Sequence, residues 1–262
     1  IQEAKIRLLG VTGQIIPFRY SSLNDNRLKS VLKNTDICIN LKTTYDQKNG
    51  TFNDSILKFN KKLLKILATN KDLRQFIFFS GLGADIDKNS SRSKAVFMSE
   101  KEAFKVIENV TILRPGVIIG GGDIFLKKLL PIFKISFFVP LFGNGLNKFQ
   151  PVFIDDVSLA VEKIVNENPK GQNIYELAGP RKLTYKEFYN YISKCLNKTR
   201  VLVPVPLNLI KPFIKFAEKT PFSPLTSEQL LLFEKDNIVQ NIDKTFEHLD
   251  ISPQDTLQIT KN

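Results

Sequence analysis

Histidine is nearly absent: His248 is the only one in 262 residues. Its rarity removes histidine-based zinc sites and Ser-His-Asp catalysis together, because both need imidazoles at the reacting centre. Cysteine is almost as scarce. Cys38 lies inside an apolar run and Cys195 inside a helix-like block, and two such residues make neither a disulfide framework nor a metal cluster. They read as buried, inert thiols in a reducing compartment. No apolar run reaches the roughly 20 residues of a membrane span. The most membrane-like stretch, IFLKKLLPIFKISFFVPLF at 124 to 142, is broken by Lys127, Lys128 and Lys134 and by Pro131 and Pro140. It reads as a lid, a pocket wall, a hydrophobic docking surface or a buried helix of a smaller lobe. The net charge is +12, yet no finger, ribbon or long basic run accompanies it, so nucleic acid is a poor candidate partner. The lysines read as scattered over a solvated surface, with an acidic partner or an anionic membrane face as the other option.

What the chain does contain is an α/β pattern. Its length suits one full α/β domain, or such a domain with a small addition, and 42% hydrophobic content is enough for a sizeable core. The stretch from Gln75 to Asp123 organises the rest. An apolar run ends at Ser80, a helix-like block covers about Lys94 to Glu108, and a second apolar run ends at Arg114 and Pro115. This is the spacing of a strand, a crossover helix and a parallel strand. In a doubly wound sheet ligands lie beyond the carboxyl ends of the strands, so attention falls on Ser80 to Gly83 and Pro115 to Gly122. Phe52, Ile56, Phe59, Leu63, Leu64 and Leu67 recur at steps of three and four, which predicts an amphipathic helix against one sheet face. Asp123 is read as a helix cap, Asp155 and Asp156 as caps at the amino terminus of a helix over Val157 to Val165, and Thr184 with Glu187 as a capping box.

Six pieces carry a resemblance: VLKNTDICINL at 31 to 41, FIFFSGLGAD at 76 to 85, RSKA at 92 to 95, ILRPGVIIG at 112 to 120, FQPVFIDDVSLAV at 149 to 161 and YELAGP at 175 to 180. With LVPVP at 202 to 206 and LTSEQLLLFEKDNIV at 225 to 239, they cover nearly the whole chain. On these pieces the sequence resembles the extended or atypical short-chain dehydrogenase family, and within it the NAD(P)-binding accessory subunits of respiratory complex I and their bacterial relatives. The resemblance implies a Rossmann-like, doubly wound parallel sheet over residues 1–180, with an insertion near 124–150 belonging to a smaller, mostly helical lobe at 181–262. It further implies that Ile15 to Arg19 is the third strand of the fold, Asn26 to Lys33 the next helix and Ile37 to Leu41 the fourth strand. On that alignment the first two strands and the glycine-rich turn precede Ile1. GVTG at 10 to 13 is read as a turn into a strand, because no helix follows it.

The family's functional positions follow residue by residue. Asn40 and Leu41 sit where the backbone passes beside the cofactor, and Lys42 stands where relatives carry small residues. Ser80 corresponds to the serine that in active members contacts the substrate carbonyl or hydroxyl and reads here as a cofactor-side contact or an ordinary turn residue; Lys94 corresponds to the lysine that holds a ribose, or is a plain residue of a helix start, and Pro115, Gly116 and Val117 correspond to the nicotinamide end. Active members pair that lysine with a tyrosine four residues earlier, whose phenol passes the proton. Here that position is Ser90, and no tyrosine occurs between Tyr45 and Tyr175. A serine hydroxyl has too high a pKa to replace the phenol. The implied cofactor is NADP or NAD, with tight binding dependent on the amino-terminal part of the family fold. The implied role is a non-catalytic accessory or assembly component among complex I subunits, with peripheral membrane contact as an option. Its place would be the bacterial cytoplasm or the cytoplasmic face of the inner membrane, or the matrix side of a mitochondrion. The alternative is a free reductase, epimerase or dehydratase acting on a small or isoprenoid-like substrate.

Overall fold

The computed structural model describes residues 6–259 apart from 12, 48–49, 88, 219–224 and 241–243. Helix α1 (Asn26–Lys33) leads into β1 (Ile37–Asn40); a π-helical stretch (Asn53–Lys58) runs straight into α2 (Phe59–Leu67) and then β2 (Gln75–Phe79). Helix α3 (Ser91–Val106) joins β2 to β3 (Val110–Pro115), and β8 (Gln172–Leu177) completes a parallel sheet of order β1-β2-β3-β8. Alternation across the pleat sorts the core into two layers. Phe76, Phe78 and Ile112 face the helical layer with Phe52, Ile56, Leu63, Leu64 and Leu67. Ile77 and Leu113 face the other side, where α5 (Ile154–Glu167) contributes Val157, Ala160 and Ile164. Both faces of β2 and β3 are therefore covered, which is why these strands read as continuous apolar runs and not as alternating ones.

Between β3 and β8 the chain leaves the sheet. The short strand β4 (Ile118–Ile119) is followed by α4 (Ile124–Ile135), β5 (Phe138–Phe142), β6 (Lys148–Phe149) and β7 (Val152–Phe153). After β8 come β9 (Leu183–Thr184), α6 (Tyr185–Cys195), β10 (Val201–Val205), α7 (Leu207–Ala217) and α8 (Ser227–Leu231), then a 3-10 turn (Phe246–Leu249) and α9 (Thr256–Ile259). Strand β10 pairs with β5, so the excursion and the carboxyl-terminal segment build one smaller lobe of helices and short strands. Its core is aromatic: Phe149 stacks on Tyr185 at 4.5 Å, and Tyr185 also meets Phe233 at 4.5 Å. Leu129 and Phe133 of α4 are buried in it, so the membrane-like stretch is in large part lobe core.

Local signals explain the helix ends. Asp123 accepts from the Leu126 N–H at 2.6 Å, and Thr184 with Glu187 forms the reciprocal capping box. Three expectations need correction. Residues 15 to 19 form no strand; Gln14 N–H closes a turn onto Val11 O, but beyond it no described strand runs alongside to make a ladder, and Pro17 lacks an N–H. Helix α3 spans Ser91–Val106, not Lys94 to Glu108, because Ser90 caps it. Asp156 is no cap: it is buried in the first turn of α5 and accepts from the Gln254 N–H at 2.9 Å, fastening the tail to the sheet domain.

Candidate functional site

The carboxyl ends of β1, β2 and β3 share one rim, and most residues singled out by sequence stand on it. Asn40 closes β1 with its side chain turned inward, donating to Asn60 Oδ1 at 3.1 Å and accepting from the Lys42 N–H at 3.0 Å. Asn60 in turn donates to Ser99 O at 3.2 Å, tying β1, α2 and α3 together. Asn40 is buried, whereas Leu41 beside it is exposed. Lys42 reaches across the Phe59 ring, 3.6 Å from its centroid, and burial there lowers its pKa.

Ser80 ends β2 and donates its hydroxyl to Glu100, a carboxylate buried in the middle of α3. Glu100 also clasps the buried Arg114 side chain in two bonds, from Nε at 3.1 Å and from Nη2 at 2.7 Å. The same guanidinium donates through Nη1 to Asp85 at 2.9 Å and lies 3.5 Å from Glu176. Burial alone would lower the Arg114 pKa, but the bonds and charges of Glu100 and Asp85 outweigh it and the net shift is upward. Sequence reading missed this network. The signal was present as a charged residue within the apolar run ILRP and a glutamate in the helix that faces it.

Ser90 is the amino cap of α3. Its hydroxyl accepts from the Ser93 N–H at 2.8 Å and donates to Glu228 Oε2 at 2.5 Å, while the Ser91 N–H donates to Glu228 Oε1 at 3.2 Å. Glu228 comes from α8 of the smaller lobe, so this contact, with the Lys235–Asp87 pair at 3.0 Å, draws that lobe onto the rim. Lys94 is exposed, one turn into α3. Its neighbour Arg92 donates to Thr44 O at 2.9 Å and to Thr43 Oγ1 at 2.9 Å, and lies over Tyr45, binding the helix start to the loop after β1.

Pro115, Gly116 and Val117 follow β3. Gly116 N–H donates to Leu177 O at 2.9 Å and Val117 O accepts from the Val152 N–H at 3.0 Å. A Cβ on Gly116 would stand 2.2 Å from Gln150 O, and one on Gly179 2.1 Å from Pro151 O. Only glycine lets the 150–151 backbone pass between them. Gln150 then donates to Gly179 O at 2.7 Å and accepts from the Val239 N–H at 3.1 Å. The motifs RPG, FQPVF and YELAGP thus meet at one crossing.

Beside the end of β1 an open cleft of about 520 Å³ is lined by Ser22, Lys42, Thr43, Ser55, Phe59 and Lys62, among others. Asp46 and Asp54 line it too, but Asp54 is paired with Lys58 at 2.7 Å, so the hydroxyls and the Lys42 and Lys62 ammonium groups are the part of the lining that suits a phosphorylated ligand, which is what a dinucleotide presents. Gly120 to Gly122 form a glycine-rich turn that leads into α4 after the short strand β4, with Asp123 capping the helix; among the described residues no group of three or more His, Cys, Asp or Glu side chains is placed to hold a metal ion.

No family model matches the chain. Among curated proteins, it is 27% identical over 260 residues to NADH dehydrogenase (ubiquinone) 1 alpha subcomplex subunit 9, mitochondrial, of Arabidopsis thaliana. The match takes in 95% of this chain, which spans 64% of the length of that relative. Among solved structures, triphenylmethane reductase of Citrobacter sp. superposes with a TM-score of 0.72 at 16% identity, covering 93% of this chain and 81% of the enzyme. UDP-glucuronic acid 4-epimerase of Bacillus cereus in complex with NAD gives a TM-score of 0.67 at 13% identity over 95% of this chain and 85% of the other. The chain therefore has the fold of extended short-chain dehydrogenases and NAD-dependent epimerase–dehydratases, and it is related to the subunit 9 sequences of complex I.

Proposed function

We propose that the protein binds NAD(P) on the carboxyl rim of the sheet and holds it without hydride transfer through a tyrosine–lysine pair, as an accessory or assembly component of a respiratory complex would. The observation that carries this reading is Ser90. It stands four residues before Lys94, where the phenol is needed, and its hydroxyl is already committed to the α3 cap and to Glu228. Ser80 is likewise turned into the Glu100–Arg114 network and away from a substrate. Bound NAD(P) would supply a hydride acceptor or donor. The backbone of Asn40 and Leu41, the Lys42 and Lys62 ammonium groups and the turn at Pro115 to Val117 would hold and orient it, and Lys94 would take a ribose.

The second reading is a free reductase, epimerase or dehydratase with relocated proton chemistry. The solved neighbours favour it, since they are enzymes of those classes, and the comparisons as a whole lean further toward it than toward the accessory role. The complex I relatives favour the accessory role. Affinity purification from gently solubilised membranes separates the two. Respiratory complex subunits recovered with the protein support the accessory reading. A protein that elutes alone and consumes NAD(P)H against a carbonyl panel overturns it.

A further inference from the structure

The net charge is not spread evenly. From Ile124 to Lys148 there are four lysines and no acidic residue, and from Phe188 to Ala217 there are five lysines and arginines and again no acidic residue. These two segments supply α4, β5, β10 and α7, so nine cations sit in these parts of the smaller lobe, whose acidic residues Glu187, Glu218, Glu228, Glu234 and Asp236 lie outside the two segments. These cations come from two separated segments of the sequence, so no basic run along the chain displays them together.

The same elements leave apolar surface uncovered. Helix α7 buries Ile214 and half-buries Leu207 and Ile210 against the lobe core. A second apolar stripe, Leu209, Phe213 and Phe216 at steps of four and three, shares one helical face. Phe213 and Phe216 are each 74% exposed and Leu209 is 66% exposed. Exposed Lys215 flanks the stripe, with Lys211 paired to Glu234. A second patch lies where α4 meets β5. Ile135 is 86% exposed, and Phe137 and Phe138 stand outward with their rings 5.2 Å apart. Phe138 is in register with the exposed Val201 of β10, while Val139 beside it points into the core. Lys198 donates to Lys134 O at 2.8 Å and Arg200 to Phe133 O at 2.6 Å, which places these two cations at the border of this patch.

We propose that these two patches dock the smaller lobe on an anionic lipid bilayer, with Phe213 and Phe216 entering the interface and Lys134, Lys198, Arg200 and Lys215 meeting the headgroups. A helix with an apolar face bordered by lysine lies in the interfacial plane, and its binding combines buried apolar area with attraction to anionic lipid. The exposed stripe carries no hydrogen-bonding side chain, so its partner must supply apolar depth and negative charge without directional contacts. A bilayer of acidic lipid does both. No described helix is long and apolar enough to cross a membrane, so the contact is peripheral.

The test is flotation of the full chain with vesicles of phosphatidylcholine alone and of phosphatidylcholine with phosphatidylglycerol. The protein is expected to float with the anionic vesicles only and to be released at about 0.5 M NaCl, where screening shortens to a few ångströms. The double variant Phe213→Ser/Phe216→Ser is expected to lower partitioning roughly tenfold or more. Lys134→Glu/Lys215→Glu changes only exposed side chains and carries the test by itself if the serine variant fails to fold; it is expected to abolish the preference for anionic vesicles. Failure of the wild-type protein to float with anionic vesicles overturns the proposal, as does unchanged flotation of the folded serine variant or of the glutamate variant. Capture of a soluble acidic protein in place of vesicles also overturns it, by assigning the face to a protein partner.

Discussion

Ser90 donates to Glu228 across 138 positions of sequence, at 2.5 Å, and so joins the start of α3 to the smaller lobe at the position where an active relative needs a phenol. The contact has two separable parts. Ser90 also caps α3 through the Ser93 N–H, and losing a cap costs about 1 kcal/mol. Ser90→Ala is therefore expected to destabilise the protein by about 1–2 kcal/mol in urea unfolding. A double-mutant cycle with Glu228→Ala should return a coupling of about 1 kcal/mol; a coupling near zero would show that the lobe is not held here. Ser90→Tyr is expected to gain no reductase activity by itself, because it removes the cap as it introduces the phenol.

Arg114 balances three carboxylates, of which Glu100 and Glu176 are buried with it. Removing one partner of a buried ion pair leaves the others without compensation, at about 3–5 kcal/mol. Arg114→Met should lower the unfolding free energy by that order. Glu100→Gln should cost less, since an amide still accepts from the guanidinium. Equal stability of Arg114→Met and wild type in chemical unfolding would mean that the network is solvated.

Gly179 faces Pro151 O so closely that even a methyl group must displace backbone. Gly179→Ala is expected to cost roughly 2–3 kcal/mol. An exposed glycine with open space around it, Gly121, is the control and should tolerate alanine within about 0.5 kcal/mol. Thermal melts of the two variants side by side decide it.

Burial pushes the Cys38 thiol up to about 11 from an ordinary 9.0. The thiolate is the reactive form, so alkylation of Cys38 by iodoacetamide near neutral pH should run about a hundredfold below that of a free thiol. The sign for stability follows from the same shift. The folded state keeps this proton to higher pH than the unfolded one, so the contribution is complete below about pH 9 and is lost as pH rises through about 11. Rapid labelling of Cys38 in the folded protein at pH 7 would place it at the surface.

The sheet was legible because both faces of β2 and β3 are covered, leaving unbroken apolar runs that stop at Ser80 and Pro115. The amphipathic helix over 52–67 was legible from its spacing, although its first turn and a half is π-helical, which period counting does not register. The strand expected at Ile15 to Arg19 was misread because short β-like composition carries no information about a ladder partner. The site was only half visible. Single positions such as Ser80 and Ser90 were found by their place in motifs, but their partners Glu100 and Glu228 lie 20 and 138 residues away, and pairing over such distances exists only once the chain has folded. Helix α3 also hid its role, since its buried face carries Ser99 and Glu100 as well as apolar residues.

The most direct test is titration of the protein with NADPH and NADH, following nicotinamide fluorescence, with nicotinamide absorbance then recorded against a panel of carbonyl substrates. Weak but saturable enhancement by one of the two dinucleotides is expected for this chain, tighter in a longer chain that carries the amino-terminal part of the fold, weaker still in Lys42→Ala/Lys62→Ala, and without consumption of the bound cofactor. Absence of saturable binding, or steady oxidation of NAD(P)H by the wild-type protein, would contradict the proposed function.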